Sequence, residues 1–512
     1  MRQGMKPLIY VALVLSLCAC APPSSSSDRL RRAATDPSQI VTEPARGAEA
    51  ERTHRPVPRP WDHPDQTVTQ DVDVDLLTVL ERERLAGSCE AYREGDEREA
   101  TRLRCGKWMF FYESFGTVGI PSHLLEVLQH WFEPYFGDGL EQMGFIPSPF
   151  DGEDSPIGLV ESSQTMGSMK THAFTCASCH FGQLPDGRYA VGYPNHQLDY
   201  GRFFASMISL VKLSINPNDS GVHPIVREAL RATVELARVQ QGFMMSMAKL
   251  GLNVATRGGN AMSSGAIDLS PEEQLRFWNL RSGTMDFLTK PMVDDGVWTV
   301  SRIINLWNLP TPDRIESAGM PHALLSWTGI GESVMNFLHG FVGISGSSEH
   351  WDDHALQPLA DYLHSLRAPP ELEATPPEAV ERGAALFDQA GCLDCHDGPS
   401  GESTKLYDFE TIGTDETMRV IYNPSEDGEL CCGLSSTGER ATWSLKAPRL
   451  AGQRYRSRLL HNGSLDTLAQ LLCLEIRPTD DNIGQSSQGH RFGCDELTDA
   501  QKVDLIHYLE HL

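Results

Sequence analysis

Thr175-Cys176-Ala177-Ser178-Cys179-His180 and Gly391-Cys392-Leu393-Asp394-Cys395-His396 repeat one spacing: two cysteines two residues apart, each pair followed at once by a histidine. The chain has 12 cysteines and 18 histidines in 512 residues, and random placement at that composition gives about 0.01 such motifs. A thioredoxin-like redox pair does not require the histidine, and a shared zinc site does not require it twice. Two thiols at this separation can meet both vinyl groups of one porphyrin, while the adjacent imidazole meets its iron. The motifs therefore predict two covalently attached c-type haems. Cys176, Cys179, Cys392 and Cys395 are the attachment points, and His180 and His396 are the proximal iron ligands.

The fold expectation spreads outward from these motifs. Apolar residues at helical spacing run from about Pro377 to Gln389 into the second motif, and another helix closes the chain from Thr498 to Leu512. Between about Leu356 and Leu366 a further helix stops at Arg367-Ala368-Pro369-Pro370, since a residue before proline is driven out of the helical region. Helical periods also mark Ser122 to Trp131, Phe203 to Leu213 and Val226 to Val239. The reading is mainly α, with two cytochrome c-like haem domains. The N-terminal one covers 71–371 and is enlarged by extra helices, and the C-terminal one covers 372–512.

The start of the chain has a separate logic. Arg2 and Lys6 precede an apolar run from Leu8 to Ala19, too short to span a bilayer comfortably, so residues 1–19 read as a signal peptide. Leu17-Cys18-Ala19-Cys20 resembles a bacterial lipobox, which would make Cys20 the lipidated first residue of the mature chain; an ordinary cleaved signal is the alternative. Residues 20–70, rich in Pro, Ser and Arg without apolar periodicity, read as a disordered tether. The expected location is the periplasmic side of a bacterial membrane or the cell surface, with the membrane contacted only through the lipid.

Six cysteines remain: Cys89, Cys105, Cys431, Cys432, Cys473 and Cys494. In an exported chain they fit up to three disulfides, with Cys89 to Cys105 the most local pair and the other pairings open; buried free thiols are the alternative. With 43 Lys and Arg against 69 Asp and Glu, the net charge of −26 repels phosphate backbones, so nucleic acid is not an expected partner.

Further motifs resemble the bacterial di-haem cytochrome c peroxidase superfamily, in particular its longer branch that includes the rubber oxygenases. They are Gly192-Tyr-Pro-Asn-His-Gln-Leu-Asp-Tyr-Gly-Arg-Phe-Phe204, Ile304-Asn-Leu-Trp-Asn-Leu309, Trp327-Thr-Gly329, Ala447-Pro-Arg-Leu450, Leu460-His-Asn-Gly-Ser-Leu-Asp-Thr-Leu468 and Gly489-His-Arg-Phe-Gly493. The resemblance spans roughly Tyr112 to Leu512. It implies one haem with two protein ligands that passes electrons, and one with an open or labile face where peroxide or dioxygen reacts. It also implies Trp307 as a bridging residue between the haems, where a plain core aromatic is the alternative, His490 as distal ligand of the C-terminal haem, and His461 as a near-haem histidine. The Trp307 to Trp327 spacing is wider than in close relatives, and Cys431, Cys432, Cys473 and Cys494 look like local elaboration, which leaves the substrate open.

No distal ligand of the N-terminal haem stands out among His123, His130, His172, His196, Met166 and Met169, so an open iron is expected there. Glu126, Gln129 and Gln164 are proton-donor candidates by neighbourhood alone. The expected activity is peroxidase-like, with electrons from a small periplasmic donor protein or a quinol-linked chain. The competing readings are an oxygenase cleaving an apolar olefin and a tethered electron-transfer cytochrome without catalysis.

Overall fold

In the computed structural model the described residues fall within 81–512, interrupted chiefly at 126–139, 151–154, 204–283, 287–299, 370–374, 415–443 and 479–485. The expected signal peptide, the tether and Cys20 lie outside them. So do Cys431, Cys432, His123, His130, Glu126 and Gln129, and nearly all of the three helical stretches at 122–131, 203–213 and 226–239.

Helices predominate. Chain order runs α1 (Arg82–Arg93), α2 (Glu99–Tyr112), β1 (Ile120–Pro121), β2 (Leu159–Met166), β3 (Met169–Phe174), α3 (Cys176–His180), β4 (Phe181–Gln183) and β5 (Tyr189–Val191). It continues with β6 (Thr284–Asp286), β7 (Val300–Arg302), α4 (Pro312–Ser317), α5 (Val334–Ile344), α6 (Asp353–Ser365) and α7 (Pro377–Gln389). The last elements are β8 (Tyr407–Asp408), α8 (Phe409–Ile412), β9 (Ser444–Leu445), α9 (Leu468–Leu471) and α10 (Asp499–His511). The strands form four small antiparallel sheets among the described residues, the largest ordered β1-β3-β2. Among the described residues no helix is long and apolar enough to cross a membrane.

Three helices fall where the sequence predicts them. Asp352 caps α6, its side chain accepting the Ala355 N–H, and the helix ends two residues before Arg367. Helix α7 has proline at its first position, where no intrahelical donor is lost. Helix α10 opens on a capping box in which Thr498 and Gln501 satisfy each other's backbone N–H groups.

Helices α7 and α10 cross at Gly383. A Cβ there would lie 2.2 Å from the Asp504 carbonyl oxygen and 2.5 Å from the Tyr508 Cβ, so only glycine allows this approach. Phe387 of α7 and Tyr508 of α10 meet beyond the crossing with ring centroids 5.4 Å apart. An apolar cluster of Phe387, Leu450, Leu459, Leu465, Leu468, Leu472, Leu505 and Leu509 fills the space behind, with Cys392 at its edge.

A larger cluster surrounds the first motif, and it includes Phe110, Phe111, Phe181, Tyr189, Tyr193, Trp307, Leu356 and Tyr362. It also takes in Ala451 and Tyr455 from beyond the second motif. Cys89–Cys105 joins α1 to α2, and Cys473–Cys494 closes a second loop; separations of 16 and 21 residues suit stabilisation of about 3 kcal/mol each in the chain-entropy picture.

Trp307 is fully buried at the meeting of the two regions. Its indole N–H donates to the Val191 carbonyl at 2.8 Å, and its ring stacks on Tyr193 and meets Tyr455 edge-on. Gly452, at φ +71°, lies so close that a Cβ would come within 2.4 Å of Trp307 Cζ3. Gly452→Ala therefore combines a left-handed backbone with a core clash, and about 3 kcal/mol of stability should be lost, measurable as a lower denaturant midpoint at unchanged slope.

Candidate functional site

The first motif is a single helical turn, α3. Thr175 caps it by accepting the Ala177 N–H, and the same hydroxyl donates to the Phe111 carbonyl at 3.2 Å, which ties the turn to α2. The chain then reverses through the β4–β5 hairpin and returns to the motif: the Gly192 N–H donates to the His180 carbonyl and the Asn195 N–H to the Cys179 carbonyl. The Asn195 amide also bridges to the Gly144 and Ser178 carbonyls. Burial holds His180 neutral, down at about 4, and its Nδ1 is sealed without a hydrogen-bond partner.

The second motif starts from Gly391, at φ +74°, and makes a short 3-10 turn over Cys392–Asp394. The Tyr407 hydroxyl donates to the Asp394 carbonyl. His396 Nδ1 is hydrogen-bonded to the Gly401 carbonyl. A carbonyl accepts only from N–H, so the proton sits on Nδ1 and the lone pair on Nε2, the tautomer that a metal-binding histidine needs.

His490 lies across from His396, with ring centroids 6.5 Å apart and planes inclined at 67°. Two imidazoles on opposite sides of one metal ion, each at about 2.0–2.1 Å through nitrogen, place their centroids about 6–6.5 Å apart. Burial, followed by the neighbouring His396, holds His490 neutral at about 4, so its lone pair is available at pH 7.

His490 sits at φ +54°, a conformation that β-carbon sterics disfavour and that surrounding structure must impose. Arg477 imposes it. Its guanidinium donates to the Ser487, Gly489, Leu471 and His490 carbonyls, and the Cys473–Cys494 bridge closes the same loop. No sequence signal singled out Arg477, because its partners are backbone carbonyls scattered over the loop. Arg477→Met should cost about 3 kcal/mol and release the histidine, seen as a lower unfolding midpoint together with a changed haem spectrum.

The four motif cysteines carry free thiols, whereas Cys89, Cys105, Cys473 and Cys494 are paired. Burial pushes the Cys176 thiol up to about 12 and those of Cys179 and Cys392 to about 11, so all three are protonated at neutral pH. Among the described residues no group of three or more His, Cys, Asp or Glu could hold a bare metal ion. The residues at the second motif fit a porphyrin: paired thiols, one histidine of fixed tautomer, and a second histidine facing it.

The other candidates divide. His461 is buried beside Trp327 and Thr414, with its backbone carbonyl accepting the Arg302 N–H. His172 is engaged with the Ser122 hydroxyl next to the β1–β3 pairing, and Gln164 is drawn toward Glu349 at the surface. The side chains of Met166 and Met169 lie outside the described residues. His196 differs from these: both its ring nitrogens are buried without a hydrogen-bond partner, and it follows the Asn195 that pins the first motif.

No protein-family model and no curated protein matches the chain. Among solved structures it is similar to Kuenenia stuttgartiensis hydrazine synthase pressurized with xenon, at 17% identity over 51% of this chain and 92% of that one. The TM-score is 0.27, too loose a likeness to carry an argument about fold or chemistry.

Proposed function

We propose that this chain is an exported, lipid-anchored di-haem c-type oxidoreductase of the di-haem cytochrome c peroxidase kind, built from two haem domains that divide near residue 372. The observation that carries the reading is the His396–His490 pair, set at the spacing of two axial ligands beside two free thiols. A c-type haem supplies reversible one-electron chemistry at iron and, where one face is open, a place for peroxide or dioxygen.

The division of labour follows from the side chains. Cys392 and Cys395 would tether the C-terminal haem, with His396 and His490 as its two protein ligands, a set that would suit electron transfer. Cys176, Cys179 and His180 would hold the N-terminal haem, which would supply peroxide reduction, one peroxide with two electrons and two protons giving two waters. His196, kept neutral by burial, carries its one N–H next to the Asn195 that binds the Cys179 and Ser178 carbonyls of that motif. Trp307, joined to the segment behind His180 and to Tyr455, bridges the two regions. Electrons enter from a small periplasmic protein or a quinol-linked chain.

The test is peroxide-dependent oxidation of a reduced small cytochrome by the partly reduced protein. Turnover is expected. Two haems that both stay low-spin and six-coordinate, with no turnover, would make the protein a passive carrier instead. Oxygen uptake that requires an olefin would mark an oxygenase.

A further inference from the structure

Between the two motifs lies a group of cations that the proposed haem ligation leaves unused. Lys446 and Arg449 are buried, with 3% and 4% of their surface exposed, and Arg456 lies beside them with its Nε sealed from solvent. Arg449 donates to the Trp307 and Asn305 carbonyls at 2.9 and 2.8 Å, and Arg456 donates to the Arg449 carbonyl. These carbonyls satisfy N–H groups and leave the charge standing. Glu402 is the carboxylate whose charge reaches Lys446 and Arg449, and the buried Arg302 adds a further positive charge next to Arg456. Lys446 and Arg449 share this one carboxylate, while the charged and titratable neighbours of Arg456 among the described residues are Arg302, Arg449 and Tyr193; cations held out of water cost several kcal/mol each unless an anion completes the group.

The place of the group narrows the choice of anion. The Ala447 N–H donates to the Ser403 hydroxyl and the Leu450 N–H to the Ser400 carbonyl, which sets this segment against the Gly401 carbonyl bound by His396, while Arg449 holds the carbonyl of Trp307, whose indole is bonded to Val191 in the hairpin behind His180. Nothing else in the motifs requires buried positive charge, since thiols and neutral imidazoles bind without it.

We propose that Lys446, Arg449 and Arg456 form a buried cradle for carboxylates, filled by the propionate groups of the porphyrins attached at the two motifs. This rests on the di-haem reading. A free small carboxylate has the same chemistry, and the test separates the two sources. Because the cradle touches the surroundings of both iron-binding histidines, one set of cations tunes both haems. A positive charge beside a propionate favours the reduced, less positive haem, so removing it lowers the reduction potential.

The test uses the full-length protein matured in a cytochrome-competent host, with Lys446→Met and Arg456→Gln as separate variants. Haem count, midpoint potentials and thermal unfolding are measured with and without formate. Both variants should keep two haems and show about a tenfold loss in the reduction equilibrium of at least one, a fall of about 59 mV for a one-electron couple, indifferent to formate. A saturable formate effect on the wild type, lost in both variants, keeps the cradle and assigns it to a free carboxylate. Unchanged potentials in both variants with two haems bound overturn the cradle. A wild type without haem overturns the di-haem reading; in that protein, thermal stabilisation by formate that Lys446→Met abolishes upholds the cradle, and its absence removes the cradle too.

Discussion

On the di-haem reading, His490→Ala is expected to leave both haems covalently attached and to convert the C-terminal one from six-coordinate to five-coordinate. The thioether links depend on Cys392 and Cys395, not on the opposing face, so the haem count stays at two by denaturing gel stain. The loss would fall on the ligand position proposed for His490, whose ring centroid lies 6.5 Å from that of His396. A strong axial nitrogen is one of the main levers on haem potential. The reduction equilibrium should therefore move by tenfold or more, and the low-spin signal of one haem should disappear from the low-temperature spin-resonance spectrum. A spectrum indistinguishable from wild type would remove His490 from the ligand set.

Cys176→Ala combined with Cys179→Ala gives the complementary result. The protein should carry one haem and keep the low-spin signal of the His396–His490 pair, while peroxide-dependent oxidation of a donor falls to background. The first core should also weaken, because Cys176 packs against the cluster that holds Phe181, Tyr189 and Trp307, and cofactor binding is coupled to folding. Persistence of peroxide turnover in this variant would move the chemistry to the other haem or to none.

Sequence signals suffice where the physics is local. The proline at the start of α7, the capping box of α10 and the double proline after α6 act within a few residues, and the helices fall where those signals place them. The His396–His490 pairing was legible only through resemblance, because nothing within either segment says that the two rings meet across the fold. Arg477 and the Lys446, Arg449 and Arg456 group carry no local sequence signal for a related reason. A buried arginine that serves carbonyls or absorbs charge has the same one-letter symbol as an exposed one, and only the packing distinguishes them. For the N-terminal motif, six distal candidates look equal in sequence; of the two whose side chains are described, His172 is engaged with Ser122 and His196 has both ring nitrogens buried without a hydrogen-bond partner.

The placement of Trp307 bears on how such a chain can be cut. A fragment starting at residue 372 would deprive the Arg449 guanidinium of the Trp307 and Asn305 carbonyls, uncover Tyr455 and leave Gly452 without its aromatic neighbour. The second half is thus not a transplantable cassette: grafting it onto another protein, or expressing it by itself, would strand cations and apolar rings that the first half shelters.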